Sequence, residues 1–279
     1  MIDLDKENLT NIIQVFGKDG KIFQSEAQFQ FELAWSLQTH LGCQVKLEDM
    51  RTVVRSKDNN PEALKKKFYT DIVVEQDGYS VALELKYKTA DYSDKNLYLF
   101  NHGAVDLGRY DYLWDVHRIE LLLGKGYKKE LLFGKGNKEE IESWKEEWGD
   151  VEVLEGKECN KGFAVLLTNE KKYWEQYYED EKEGVKYTID NQFKIGEKVK
   201  GKTFKLFNND LDWKKLIKDD KNYNKNYNHY PSTVIKQNGT STDRAQPIHL
   251  SKKYDYQWEE YCELPNVNGK FRFVIIEVK

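Results

Sequence analysis

The sequence predicts an α/β fold in which a helix, three strands, a second helix and a buried strand follow one another. Three observations predict it. A capped helical stretch runs from Ser25 to about Leu41. Asp77-Gly78 then joins two runs rich in β-branched residues. Finally, the helical repeat of Tyr112, Val116, Ile119 and Leu123 precedes the apolar run from Gly162 to Thr168.

Ser25 is suited to cap the first helix and Gly42 to stand just past its end. At about 100° per residue, Ala27, Phe31, Ala34, Leu37 and Leu41 form a broad apolar face. Glu26 lies at the edge of that face, whereas Glu32 lies on the opposite, solvent side. Residues from about Gln44 to Arg55 read as a strand with a polar face, and the stretch to Lys67 as a basic loop. Phe68 to Gln76 and Tyr79 to Lys88 read as two strands. Asp-Gly between such runs specifies a two-residue hairpin with a type I′ turn. Val105 to Leu123 has helical spacing. Gly162 to Thr168 is the kind of strand buried on both faces. A helix rich in Tyr and Trp follows it, and Phe271 to Val278 closes the chain as another strand.

Hydrophobic residues make up 39% of the 279-residue chain and charged residues 33%, with only four prolines. No Pro- or Ser/Gly-rich linker divides it, so residues 1–279 read as one elaborated domain. The N-terminal stretch lacks the pattern of a secretion signal, and no run of about 18 apolar residues exists to span a membrane. The three cysteines are far apart and the five histidines lack zinc-ligand spacing. Together these features predict a reducing, cytoplasmic setting without a disulfide framework.

Net charge is −4, which does not by itself favour nucleic acid. Local charge is more informative. Arg51, Arg55, Lys57, Lys65, Lys66 and Lys67 face only Asp58 and Glu62, and a second basic cluster runs from Lys194 to Lys205. Either cluster can equally be a solvated surface. Residues 121–130 and 131–140 form a local duplication whose Gly-Lys-Gly lacks P-loop spacing. Lys221 to Asn228 is low in complexity, and a mobile surface loop is expected near 219–245.

The chemistry comes from register. If Asp77 and Gly78 are the loop residues, Gln76 pairs with Tyr79 and Asp71 falls opposite Glu84, with Cβ atoms roughly 4.5–5.5 Å apart. Alternation places Lys86 on the same face, while Val81, Leu83, Leu85 and Tyr87 point the other way. Opposed carboxylates repel one another unless a cation joins them. Mg²⁺ accepts carboxylate and phosphate oxygens and keeps several waters, with Mn²⁺ as its substitute. A nearby lysine can orient a water or stabilise charge on phosphorus. These parts suffice for phosphodiester hydrolysis.

Asp71, twelve intervening residues and Glu84-Leu85-Lys86 resemble the PD-(D/E)XK nuclease superfamily, which includes restriction endonucleases and Holliday-junction resolvases. Thr70 stands where the family name has proline. The resemblance covers residues 20–175 and implies a restriction-endonuclease-like αβββαβ core with a mixed central sheet flanked by helices. Residues 180–279 are then a C-terminal elaboration. It also implies a metal-dependent nuclease acting on DNA, with Asp71, Glu84, Lys86 and Glu26 as catalytic residues. Asp71, Glu84 and Glu26 would be the metal ligands. Glu26 enters because family members commonly bring a carboxylate from the first helix.

The helix after the third strand often carries auxiliary residues in this superfamily. Asp111, Asp115 and Arg118 share one stripe there, and Arg118 or Arg109 can clamp a phosphate; Lys65 and Lys66 are further candidates for substrate binding. The alternative for the stripe is ion pairing on a solvated face. His117 reads as a packed or surface residue, and Trp114, Trp144, Trp148, Trp174, Trp213 and Trp258 as packing. Cleavage of both strands of a duplex would favour a homodimer. The runner-up function is a catalytically inactive nuclease-fold module that binds nucleic acid or protein.

Overall fold

A computed structural model describes residues 4–56, 64–103, 105–123, 150–155, 159–174, 254 and 256–279. Helices α1 (Lys6–Lys18) and α2 (Glu26–Leu41) precede strands β1 (Gln44–Ser56), β2 (Leu64–Gln76) and β3 (Tyr79–Lys88). A small hairpin, β4 (Tyr92–Ser93) with β5 (Tyr98–Leu99), leads to α3 (Val105–Leu122). Strands β6 (Asp150–Glu155) and β7 (Lys161–Thr168), a 3-10 turn (Lys171–Tyr173), and strands β8 (Trp258–Glu263) and β9 (Lys270–Val278) follow.

Among the described residues, seven strands form one mixed sheet in the order β6-β1-β2-β3-β7-β9-β8. Only the β3–β7 pair of this sheet is parallel among the described residues. Such a pair needs a crossover, and α3 lies between the two strands in sequence. The fold is thus α/β with helices on both faces. Val81, Leu83, Leu85 and Tyr87 pack with Leu9, Ile13, Phe29, Leu33 and Leu37 of the first two helices. On the opposite face, Tyr112, Val116 and Ile119 of α3 meet Ala164, Leu166, Val274 and Ile276. Gly162 permits this close approach, since a Cβ there would sit 2.2 Å from the Ile119 Cγ2.

Asp77 and Gly78 adopt φ of 51° and 80°, as a type I′ turn requires, and Gln76 pairs with Tyr79. Ser25 caps α2 by accepting the Gln28 N–H at 3.1 Å, and Gly42 ends it with φ 59°. The apolar face of α2 differs from the expected one. Phe29, Leu33, Ala34 and Leu37 are buried, whereas Ala27 and Phe31 are exposed. The helix carries apolar side chains on two sides, and the sheet selects one of them.

Strand β2 begins at Leu64, so Lys65 and Lys66 are strand residues opposite Val54 and Val53 and not part of a loop. Their side chains lie outside the described residues. The C-terminal region is more than an appendage: β9 pairs with β7 and β8 with β9, widening the central sheet. Helix α1, capped by Asp5 through the Asn8 N–H at 2.7 Å, buries Leu9, Ile13 and Phe16. Strands β6 and β8 likewise add to the expected elements. A 3-10 turn follows β7, and the rest of the expected Tyr/Trp-rich helix lies outside the described residues. So do the duplicated segment beyond Leu123, the basic cluster Lys194–Lys205, and the loop expected near 219–245.

Trp174 and Trp258 are buried edge to face at 5.9 Å, as core packing requires, while Trp144, Trp148 and Trp213 fall outside the described residues. His117 is buried against Trp114, with ring centroids 5.1 Å apart. No disulfide joins Cys43, Cys159 and Cys262. Among the described residues, no helix is long and apolar enough to cross a membrane.

Candidate active site

The site forms where one strand loses a neighbour. β3 pairs with β7 along Val81 to Lys88, but its ladder with β2 ends at Ile72 and Leu83. The expected register therefore holds up to the residues just before Asp71 and Glu84. Beyond that point two carboxylates serve the backbone of β3. Asp71 Oδ2 accepts the Leu85 N–H at 2.6 Å, and Glu26 Oε2 accepts the Tyr87 N–H at 2.7 Å. Alternate N–H groups on one edge of a strand point the same way, so both carboxylates line the edge that β2 has vacated.

A local distortion accompanies the divergence. Glu48, between the ladder pairs Leu47–Ile72 and Asp49–Thr70, faces Asp71 with φ 50°. That left-handed conformation is uncommon for glutamate. Gln30 Nε2 holds the bend, donating to Glu48 Oε1 at 2.8 Å and to the Asp71 carbonyl at 2.6 Å.

On the other face, α3 meets Glu84 and Lys86. The Lys86 Nζ lies 3.0 Å from Asp115 Oδ2, and Arg118 Nη1 lies 3.1 Å from Glu84 Oε2 and 3.4 Å from Asp115 Oδ1. Arg118 Nη2 also donates to the Tyr69 carbonyl. The shared contacts with α3 place Glu84 and Lys86 on one face, as alternation predicts. The alternative of a solvated stripe holds only for the ion pair: Asp115 keeps its i,i+3 contact with Arg118 but is 2% exposed and faces the sheet.

Burial sets the electrostatics. It pushes the Asp71 carboxyl up to about 7, helped by the charge of Asp115 and opposed by Lys86 and the Leu85 N–H. Burial also raises Glu84 well above the usual carboxylate range, against the pull of Arg118. For Lys86 burial acts downward, but Asp115, Glu26 and Asp71 together outweigh it and hold the ammonium charged. Glu84 is fully buried, and its Oε1 accepts no hydrogen bond. Such an atom is costly unless something occupies it.

The structure brings Asp71, Glu84, Lys86 and Glu26 to the same end of β3. Arg118 joins them, but as the partner of Glu84 and Asp115 and not as a free phosphate clamp. Arg109 is buried elsewhere, donating to the Lys172 carbonyl within the 3-10 turn. Asp115 completes the cluster. It stands four residues before Ile119 and three after Tyr112, so its helical position already pointed to the buried face.

Among the described residues, no group of three or more His, Cys, Asp or Glu side chains is arranged to hold a metal ion. Mg²⁺ nevertheless needs only one or two carboxylates beside waters and phosphate oxygens. Asp71 and Glu84 supply hard oxygen donors, and the unpartnered Glu84 Oε1 is a donor atom without an occupant. The chemistry of these oxygens is compatible with such a cation. No family model, curated protein or solved structure matches the chain.

Proposed function

We propose that this chain is a divalent-cation-dependent nuclease of the PD-(D/E)XK type, built on a restriction-endonuclease-like core and acting on DNA. One observation carries the reading. At the open edge of β3, Asp71 accepts the Leu85 N–H beside the buried and incompletely satisfied Glu84, and Lys86 shares the face of Glu84. The order α2, β1–β3, α3, β7, with β7 parallel to β3, is the order that such a core requires.

Asp71 and Glu84 would hold the cation, with Glu26 beside them. When bound, Mg²⁺ or Mn²⁺ supplies polarisation of the phosphate and acidification of a water. Lys86, fixed by Asp115, offers a proton donor and positive charge beside the phosphate. Arg118 holds Glu84 in place through a buried charge-assisted contact.

Incubation of the chain with single- and double-stranded DNA and Mg²⁺ or Mn²⁺ tests this. Cleavage is expected, and it disappears in Asp71→Ala and Lys86→Ala. Absence of cleavage on every such substrate would sink the enzymatic reading.

One feature favours the second reading, a nuclease-fold binding module. Lys86 and Arg118 already neutralise part of the carboxylate cluster without any cation. The two readings separate by thermal shift. A metal-binding site raises the midpoint with Mn²⁺, and Glu84→Ala abolishes the rise. A module without a metal site gives no shift.

A further inference from the structure

Beyond Lys86, strand β3 runs into Thr89, which anchors the hairpin β4–β5. The Thr89 hydroxyl donates to the Phe100 carbonyl at 2.6 Å, and the Thr89 N–H donates to His102 Nδ1 at 3.1 Å. His102 in turn returns its N–H to the Thr89 carbonyl at 2.9 Å. Two large apolar rings are displayed on this hairpin. Tyr98 is 54% and Phe100 68% exposed, and they meet edge to face at 4.7 Å.

The hairpin is stiff. Tyr92 and Leu99 on its inner side are buried in the core below α1 and α2. Asp94 Oδ1 closes the turn by accepting the Asn96 and Leu97 N–H groups at 2.7 and 2.8 Å. Asn266 and Asn268, between β8 and β9, donate to the Ser93 and Asp91 carbonyls at 2.8 and 2.9 Å. Rigid aromatic rings held open to solvent lose little entropy when a flat partner stacks on them.

Charge between the rings and the cluster indicates which flat partner. Lys88 follows Lys86 on the same face of β3 and directly precedes Thr89, whose hydroxyl donates to the Phe100 carbonyl. A cation therefore stands between the carboxylate cluster and the aromatic pair. The path from Lys86 to Thr89 is about 10 Å, or about three nucleotides stacked at roughly 3.4 Å each. Cationic and aromatic groups along one track are the elements that hold single-stranded nucleic acid. Paired bases within a duplex keep their faces covered and cannot use such rings.

We propose that Tyr98 and Phe100 form a stacking platform for unpaired bases of a DNA strand whose phosphates pass Lys88 toward the carboxylate cluster. This inference rests on the nuclease reading for its direction, and it names the substrate class of that site as DNA with single-stranded or frayed segments.

Fluorescence polarisation in EDTA, with a labelled short oligothymidylate and a labelled duplex, tests the platform without cleavage. The double variant Tyr98→Ala/Phe100→Ala is expected to weaken oligothymidylate binding about tenfold or more, and to leave duplex binding and the melting midpoint unchanged. Phe100→Trp retains the affinity, and an abasic strand binds wild type as weakly as it binds the double variant. Unchanged oligothymidylate affinity in the double variant overturns the platform, whether or not the protein cleaves DNA. Equal losses for strand and duplex overturn it too, as does a dimer in sedimentation that the same substitutions dissolve. Conversely, tight ring-dependent binding by a protein that never cleaves with Mn²⁺ overturns the nuclease reading and leaves the platform standing.

Discussion

The Lys86 ammonium lies 3.0 Å from the Asp115 carboxylate, both largely removed from water, so a residue of α3 fixes the lysine of the β3 motif. A lysine carries about 2 kcal/mol of rotamer entropy when free. Asp115 removes that freedom and keeps the ammonium charged, while Lys86 Nζ also reaches the Leu85 carbonyl at 3.3 Å. Asp115→Asn is expected to lower kcat about a hundredfold, within the range for a positioned proton donor, with KM for DNA nearly unchanged. Asp115→Glu recovers part of the loss. A variant that changes KM and kcat together, or neither, would show that Asp115 only supports packing.

Arg118 is the counter-ion of a fully buried glutamate, at 3.1 Å. Removing one member of a buried pair leaves an uncompensated charge, which costs about 3–5 kcal/mol. Arg118→Ala should therefore lower stability by about that amount in denaturant unfolding with EDTA present. Because binding to the native state raises apparent stability, saturating Mn²⁺ should recover part of it. The double variant Glu84→Gln/Arg118→Ala is expected to be more stable than Arg118→Ala alone. If Arg118→Ala costs no more than an ordinary surface substitution, the pair does not matter energetically.

Asp71 gives the site its pH dependence. Its folded carboxyl titrates near 7, above the ordinary 3.8, because burial disfavours the charge. The folded state thus binds the proton more tightly than the unfolded chain. Metal-free stability is highest below about pH 4 on account of this group and falls as pH rises toward 7. Asp71→Asn, which can still accept the Leu85 N–H, should flatten that fall and raise the EDTA melting midpoint at pH 8 by about 2–8 °C. Cation binding runs the other way, since the ligand must lose its proton. Apparent Mn²⁺ affinity should therefore climb from pH 5 to about 7 and then level, as isothermal titration will show. A flat profile would mean that Asp71 does not ligate.

Some of these relations are legible in the sequence because their causes are local. Asp77-Gly78 demands positive φ at both positions, and from that turn the register to Leu83 and the shared face of Glu84 and Lys86 follow. The partner of Glu84 is not local: Arg118 meets it only because α3 docks at a particular rotation over β3. Asp115 was legible in principle, adjacent to Ile119 on the helical wheel. The i,i+3 partner Arg118 satisfies it equally well on a solvated face, so the sequence alone leaves both sides open. In α2, Phe29, Phe31, Leu33, Trp35 and Leu37 alternate, so the apolar character wraps the helix and the buried side is chosen by the sheet. Strand β8 escapes a period-two reading because a register shift between Glu260 and Cys262 breaks the alternation. Helix α1 did carry readable signals, the Asp5 cap and the spacing of Leu9, Ile13 and Phe16.

Glu26 has two separable tasks, and a single isostere divides them. Its Oε2 completes the backbone of β3 by accepting the Tyr87 N–H at 2.7 Å, which is a structural service. That bond lies two residues along the β3 edge from the one Asp71 makes to Leu85, beside the candidate cation site, and the Glu26 charge acts on both Asp71 and Lys86. Glutamine can accept the same hydrogen bond but brings no charge. Glu26→Gln should therefore unfold within about 0.5 kcal/mol of wild type in EDTA, while Glu26→Ala, which leaves the Tyr87 N–H without its acceptor, loses about 1–2 kcal/mol. If Glu26 also serves the cation, Glu26→Gln loses most of the Mn²⁺-dependent rise in midpoint and cleaves at least about tenfold more slowly at fixed Mg²⁺. Full retention of both in Glu26→Gln, together with destabilised Glu26→Ala, would assign Glu26 to the strand edge alone and leave Asp71 and Glu84 as the whole carboxylate set.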